Sequence, residues 1–131
     1  YHKGDGVTQD LKEAVRWYTK AAEQGDAKAQ FGLGWMYDNG KDVTQDLKKA
    51  LRWYTKAAER GHATAQYTLG LMYDNGKGVP KDYVLSHMWL NLAAAEGNKP
   101  AIEFRDKITP LMTPQQIAEA NRLASEWMAT H

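Results

Sequence analysis

The sequence predicts an all-α fold, a right-handed superhelical solenoid of 36-residue helix pairs with a C-terminal capping helix. Residues 1–36 and 37–72 are identical at 24 of 36 aligned positions, and residues 37–72 and 73–108 at 12. Each unit also carries apolar residues at helical three- and four-residue spacing, and glycine-containing turns recur between these stretches. A fixed period of this length indicates stacked copies of one helical unit that bury a shared core.

The first kind of helix is clearest in residues 46–60. Its apolar positions fall on one helical face and comprise Leu47, Ala50, Leu51, Tyr54, Ala57 and Ala58. Asp46 is the predicted N-cap, with counterparts at Asp10 and Asp82. Gly61 follows the last helical residue, where a left-handed backbone favours glycine. This kind of helix is predicted over residues 10–24, 46–60 and 82–96.

The second kind of helix follows at once in residues 62–74. The residues that share its apolar face are Ala65, Leu69, Met72 and Tyr73. A turn rich in glycine then breaks the helical pattern, and the valine after the turn is predicted to pack into the core beneath it. This kind of helix is predicted over residues 26–38, 62–74 and 98–108.

A different helix ends the chain. Thr113 is its predicted N-cap, Pro114 occupies the first turn, and the Gln116 side chain reaches back to the cap. The residues that this helix is predicted to bury, over residues 114–129, are Ile117, Ala120, Leu123, Ala124 and Trp127. The sequence therefore predicts one domain, made of units 1–36, 37–72 and 73–108 and a cap over residues 109–131.

No comparable helix caps the N-terminal edge. Residues 1–4 match the tail of a helix in the next unit, so the first helix lacks a partner, and we interpret the chain as part of a longer protein. We expect an apolar edge around Val15, Trp17 and Tyr18 to pair with another molecule or with upstream repeats.

A tryptophan recurs once in each unit, as Trp17, Trp53 and Trp89. Aromatic residues at the repeat spacing are usually packing residues, so all three are predicted to lie between helices. Positions that are constant between units satisfy the repeated packing, whereas variable positions are free to contact a partner.

Composition limits the classes of partner. The net charge of +1, from 17 basic and 16 acidic residues, provides no general field that would attract nucleic acid or an anionic membrane. The apolar stretches are short and interrupted, so membrane insertion is not predicted. The chain has no cysteine, which excludes a disulfide scaffold and thiol chemistry.

No catalytic constellation is predicted either. The histidines are far apart in sequence and form no ligand-spaced pair: they are His2, His62, His87 and His131. Because zinc sites usually need three or four clustered ligands, neither a metal site nor a cofactor is predicted. The sequence also lacks the glycine motifs that hold phosphate and the motifs that present a nucleophile. The chain is therefore predicted not to be an enzyme.

The repeated positions resemble the Sel1-like repeat family, which is related to tetratricopeptide repeats. One copy of the family motif begins near the end of the first unit and is matched by Ala29, Leu33, Gly34, Tyr37, Gly40, Val43, Asp46, Ala50, Trp53, Tyr54, Ala57, Ala58 and Gly61. Most of these positions recur 36 residues later, and the resemblance covers residues 1–108. It implies a non-catalytic bacterial adaptor or scaffold for protein assembly, in either the cytoplasm or the periplasm.

Two other functions stay open as alternatives. The first is a structural module that associates with itself through the open N-terminal edge. The second is a binder of cell-wall material, or an enzyme acting on it, by resemblance to a cysteine-rich branch of the family that has been discussed as penicillin-binding. The absence of cysteine separates this sequence from that branch.

The resemblance also implies where a partner would bind. In tetratricopeptide-like stacks the first helix of each pair lines a concave groove, and here this is the second kind of helix. The residues expected to bind a protein or peptide partner there are Lys28, Phe31, Trp35, Asp38, Asn39, Thr64, Tyr67, Thr68, Leu71 and Asn75. The aromatic members would form an interface hot spot, and Asn39 and Asn75 would hydrogen-bond a peptide backbone. The alternative is that Phe31 and Trp35 pack between helices.

Overall fold

A computed structural model of the chain describes the backbone of residues 5–41 and 43–131 and the side chains from residue 13 onward within these ranges. Every regular element in this part of the chain is a helix. The elements are α1 (Asp5–Glu23), α2 (Ala27–Asn39), α3 (Leu47–Glu59), α4 (Ala63–Asn75), α5 (Tyr83–Ala95), α6 (Lys99–Ile108), a 3₁₀ turn (Thr109–Leu111) and α7 (Pro114–Thr130). The predicted all-α fold of repeated helix pairs is confirmed.

The predicted aspartate caps are confirmed in two of three units. The Asp46 carboxylate accepts backbone N–H bonds from Lys48 and Lys49, both at 3.1 Å. The Asp82 carboxylate accepts one from Leu85 at 3.0 Å. The prediction for Asp10 is wrong, because α1 already begins at Asp5 and Asp10 lies inside it.

Backbone hydrogen bonds hold the loops that precede α3 and α5. The N–H of Asp46 donates to the carbonyl of Tyr37, and the N–H of Asp82 to that of Tyr73, both at 2.9 Å, so the chain before α3 and α5 is held as a loop. The residues ahead of Asp10 instead continue the helix, which satisfies their backbone groups within the element.

Helices α2, α3 and α4 are each followed by a glycine in the left-handed conformation. Gly40 and Gly76, with φ of 66° and 69°, are the C-caps of α2 and α4, and their N–H groups donate to the carbonyls of Met36 and Met72. Gly61 follows α3 with φ of 89°, as predicted. A side chain at these positions would strain the backbone, so the repeated glycines fix where each helix stops.

The chain divides after Ala57 into two compact units, each larger than one 36-residue repeat. From here on, the first and second units are these two compact units. The first contains α1, α2 and α3 up to Ala57, and its core consists of Ala22, Ala29, Leu33 and Met36. Trp53 and Val43 pack against this core, which confirms the predicted role of the valine after the turn in the first unit. A Cβ atom on Gly34 would lie 2.8 Å from the Tyr54 ring, so glycine lets α2 and α3 approach closely.

The second unit contains α4 to α7 and repeats this close approach with different residues. A Cβ atom on Gly70 of α4 would lie 2.7 Å from Leu90 of α5. The Ser86 hydroxyl donates to the Gly70 carbonyl at 2.7 Å. A core of Leu90, Ala93, Ala101 and Ile108 lies beside this contact.

The predicted helix start at Thr113 is confirmed in detail. The Gln116 N–H donates to the Thr113 hydroxyl at 3.1 Å, and the Thr113 N–H donates to the Gln116 side-chain oxygen at 2.9 Å. Ala120 and Ala124 are buried as predicted, whereas Ile117, Leu123 and Trp127 are half-buried. Helix α7 packs on α5 through an edge-to-face contact between Trp127 and Trp89, whose ring centroids are 6.3 Å apart.

The three repeated tryptophans have different surroundings. Trp89 is buried and Trp53 is half-buried against the core of the first unit, as predicted for packing residues. The packing prediction is wrong for Trp17, which is 74% exposed, because no described element covers that face of α1. The expected apolar edge is present there, since Tyr18 is also 44% exposed.

Candidate functional site

Helix α2 presents one stripe of side chains to solvent in the first unit. Lys28, Trp35 and Asn39 are exposed, and Phe31 is half-buried between them. Trp35 is 45% exposed. It is therefore not buried between helices, which was the alternative interpretation of this residue. The Asn39 amide nitrogen donates to the Trp35 carbonyl at 2.9 Å and so helps to cap its own helix.

Two of the predicted residues on α2 are also used in helix packing. The Phe31 ring lies against the Tyr54 ring of α3, with centroids 5.4 Å apart. The Tyr54 hydroxyl donates to an Asp38 carboxylate oxygen at 3.2 Å. Burial, together with the Asp38 charge and this hydrogen bond, raises the pKa of Tyr54 above its usual value. Asp38 therefore serves the contact between α2 and α3.

An open cleft lies between α1 and α2. It has a volume of about 430 Å³, and its described lining residues are Ala14, Tyr18, Phe31, Gly32, Trp35, Met36 and Lys41. Gly32 brings the Tyr18 ring close to α2, because a Cβ atom at this position would lie 3.3 Å from that ring. Predicted residues Phe31 and Trp35 thus form one wall of a concave site, and Tyr18 adds a third aromatic ring on the other side.

The remaining predicted residues lie on α4 in the second unit. Thr64 and Asn75 are exposed, and Tyr67, Thr68 and Leu71 are half-buried. The Tyr67 side chain packs against the core of this unit, and the Thr68 hydroxyl donates to the Thr64 carbonyl at 2.8 Å. The α4 surface is consequently less apolar and less open than that of α2.

Sequence reasoning did not assign four of the described lining residues to the cleft, namely Ala14, Tyr18, Met36 and Lys41. Tyr18 was assigned only to the apolar edge of α1, and Lys41 was assigned to a turn. The difference between Gly32 and its counterpart Thr68 is the signal that could have identified Tyr18, since a glycine among variable helix positions indicates a close neighbour. Lys41 recurs as Lys77 and carries no such signal.

A polar network surrounds a buried histidine in the second unit. His87 Nε2 lies 3.1 Å from the Thr109 hydroxyl oxygen, and this hydroxyl donates to the Arg105 carbonyl. The hydroxyl must therefore accept from Nε2–H, which leaves Nδ1 to accept from the Asn91 amide at 3.1 Å. The same amide donates to the Asn121 side chain at 2.9 Å. Burial, and then the Arg105 charge, lower the pKa of His87.

Neither a metal centre nor a membrane span is found in the described part of the chain. No cluster of three His, Cys, Asp or Glu side chains there is arranged to hold an ion. No helix in the same ranges is long and apolar enough to cross a membrane.

Comparison with known families identifies the repeat. The model of the Sel1 repeat matches residues 1–26, 27–62 and 63–98, so the chain belongs to the Sel1 repeat family. The second and third matched copies begin with the first residues of α2 and α4, and they are 36 residues apart. Sel1 repeat proteins are generally protein-interaction scaffolds, and the family is generally non-catalytic.

Solved structures support the same assignment. A protective antigen of uropathogenic Escherichia coli strains, which displays an SLR fold, is 36% identical with a TM-score of 0.85, over 90% of this chain and 26% of the antigen. The chain thus spans about a quarter of that protein. A Sel1 repeat protein from Oxalobacter formigenes is 46% identical with a TM-score of 0.73, over 79% of this chain and 78% of the other.

A third solved structure, of a cysteine-rich protein, is less similar to this chain. Cysteine-rich protein B of Helicobacter pylori is 26% identical with a TM-score of 0.59, over 78% of this chain and 99% of that protein. The present chain shares this fold without any cysteine. Comparison with curated proteins gave no match.

Proposed function

We propose that this chain is a non-catalytic interaction module that binds a peptide or protein segment through the exposed face of α2 in the first compact unit, and that α4 offers a binding face of its own within the second. Membership of a family of interaction scaffolds supports the general class of function. The geometry of the first unit supports the proposed location of the binding site, because aromatic residues of this unit line an open cleft.

Trp35 is the observation that carries the proposal. A tryptophan with 45% of its surface exposed leaves a large apolar area in water, and burying apolar surface contributes about 25 cal/mol per Å². Tryptophan is also enriched among the residues that dominate binding energy at interfaces. Because Trp35 and Phe31 line the same cleft, a single partner side chain can contact both.

Affinity capture from bacterial lysate tests the proposal. Wild type is compared with Trp35→Ala and with Trp17→Ala, a matched control that removes an exposed tryptophan from α1. We expect Trp35→Ala to lose a protein that both wild type and the control retain, with helicity unchanged in all three. Purified partner should then bind Trp35→Ala at least about tenfold more weakly. Equal capture by all three would contradict binding at this surface.

One observation favours a second candidate function, self-association through α1. Trp17 is 74% exposed and lines an open surface of α1 together with Val15, Thr19 and the charged residues Glu13, Arg16, Lys20 and Glu23. Sedimentation velocity over a hundredfold concentration range tests this function. A concentration-dependent dimer that Trp17→Ala abolishes would support it, and a monomer at every concentration would exclude it.

A further inference from the structure

The walls of the cleft between α1 and α2 define the shape of what it can hold. Tyr18, Phe31 and Trp35 are aromatic, Ala14 and Met36 are aliphatic, and Gly32 adds no side chain of its own. A volume of about 430 Å³ accepts one or two bulky side chains and is too small for a folded domain. A short segment of a partner chain fits this volume.

The charge at the rim decides which segment fits. Aromatic clusters often bind cations, because the faces of the rings are electron-rich. Here Lys41 is the charged residue among the described lining residues, and it is exposed. The described part of the chain provides no carboxylate within ion-pair distance of its ammonium group. Lys41 repels a cation placed beside it and can form an ion pair with a carboxylate.

We propose that this cleft binds an acidic peptide segment, in which an apolar side chain enters between Tyr18 and Trp35 and a neighbouring carboxylate pairs with Lys41. The inference rests on the proposed function, since it names the partner chemistry of the same surface. Lys28, exposed two helical turns before Trp35, adds a second positive charge along the stripe.

The C-terminal end of α2 has an electrostatic effect that opposes the binding of an anion. The C-terminus of a helix carries about half a negative charge from carbonyls without partners, which disfavours a nearby anion. In α2 the Met36 carbonyl accepts from both Gly40 and Lys41 N–H groups, the latter at 2.9 Å. These bonds reduce the exposed negative partial charge, and the full charge of Lys41 exceeds what remains. The same backbone bond fixes the position from which the Lys41 side chain extends.

Three pools of labelled 12-residue peptides test the inference by fluorescence anisotropy. Every peptide has a central Leu, Met, Phe or Trp, and the pools differ only in flanking residues, which are Glu, Gln or Lys. We expect the order of affinity Glu, Gln, Lys, with steps of about threefold, as solvent-exposed ion pairs contribute. Lys41→Glu should reverse this order, and Trp35→Ala should weaken the Glu pool at least about tenfold.

Lys99→Glu is the matched control for charge, because it makes the same change at an exposed position on α6 in the other unit. It should leave the order unchanged. Binding that depends on Trp35 but has the same affinity for all pools would overturn the inference and leave the proposed function in place. Absence of any Trp35-dependent binding would overturn both. Circular dichroism confirms that each variant is folded.

Discussion

Tyr54 shows how much the surroundings of one residue decide its role. Its ring is buried against Gly34, and its hydroxyl donates to the Asp38 carboxylate. Its counterpart Tyr18, at the same position of the repeat, is 44% exposed and lines the cleft. The same side chain therefore stabilises one helix pair and is available to a ligand in another.

Replacement of Tyr54 by Phe should change stability in a pH-dependent way. Removing the hydroxyl loses one hydrogen bond to a carboxylate and should lower the free energy of unfolding by about 1–2 kcal/mol at pH 8. The pKa of Tyr54 is raised in the folded chain, whereas an unfolded tyrosine ionises near pH 10. Wild type should consequently lose stability as the pH rises above about 10, and Tyr54→Phe should lose less.

Urea unfolding at pH 8 and pH 10.5 measures both effects of the Tyr54 hydroxyl. Tyr18→Phe is the control, since it deletes a hydroxyl at the same repeat position. An equal alkaline loss in wild type and Tyr54→Phe would show that Tyr54 does not cause it.

At the scale of elements, helix ends were predictable because their chemistry is local. The cap at Thr113 and the glycine after α3 depend only on neighbours within a few residues, and both were predicted correctly. Asp10 was assigned wrongly because the repeat pattern does not show that α1 already begins at Asp5 and includes Asp10. Trp17 was assigned wrongly because repetition does not reveal which copy of a residue lacks a covering helix.

The network around His87 could not be predicted, because it has no period. Asn91 and Asn121 are 30 positions apart, and the residues that join α5 to α7 occur once in the sequence. Burial lowers the pKa of His87, the Arg105 charge lowers it further, and the Asp106 charge opposes this. The network also leaves no acceptor for a second ring proton, since Nδ1 faces the Asn91 amide.

Acidification should therefore weaken the attachment of α7 to α5. The unfolded histidine takes up a proton near pH 6.5, but the folded one does so only at lower pH. Stability conferred by neutral His87 is complete above about pH 6.5 and decreases as the pH falls below that value. We expect His87→Gln to be less stable than wild type by about 1–2 kcal/mol at pH 7.5, because buried hydrogen bonds are lost, and to show a shallower loss towards pH 5.

Thermal unfolding between pH 5 and 7.5 measures the effect of His87. His131→Gln is the control for an exposed histidine after α7, and it removes the stacking of that ring on Trp127, with centroids 4.1 Å apart, and leaves the buried ring in place. Parallel pH profiles of wild type and His87→Gln would contradict this role of the buried ring.

For the whole molecule, the 36-residue period predicted the order of the helices and the place of the glycine that lets two helices touch. The aromatic members of the predicted binding set on α2 lie on an open surface, but the period could not separate the ligand-facing part of Phe31 from its contact with Tyr54. Each unit has its own apolar core. In repeat proteins, stability is approximately a sum of local terms, so a lesion should act mainly within its own unit.

Gly34→Ala and Gly70→Ala are equivalent lesions, one in each unit. The added Cβ would lie 2.8 Å from Tyr54 in the first case and 2.7 Å from Leu90 in the second, so either side chain must shift. We expect each to lower stability by about 1–3 kcal/mol, as overpacked cores do. Amide hydrogen exchange should then accelerate in α2 and α3 for Gly34→Ala, and in α4 and α5 for Gly70→Ala, with smaller changes in the other unit. Equal acceleration in all helices for both variants would show instead that the chain unfolds as one cooperative body, and that the local cores do not act separately.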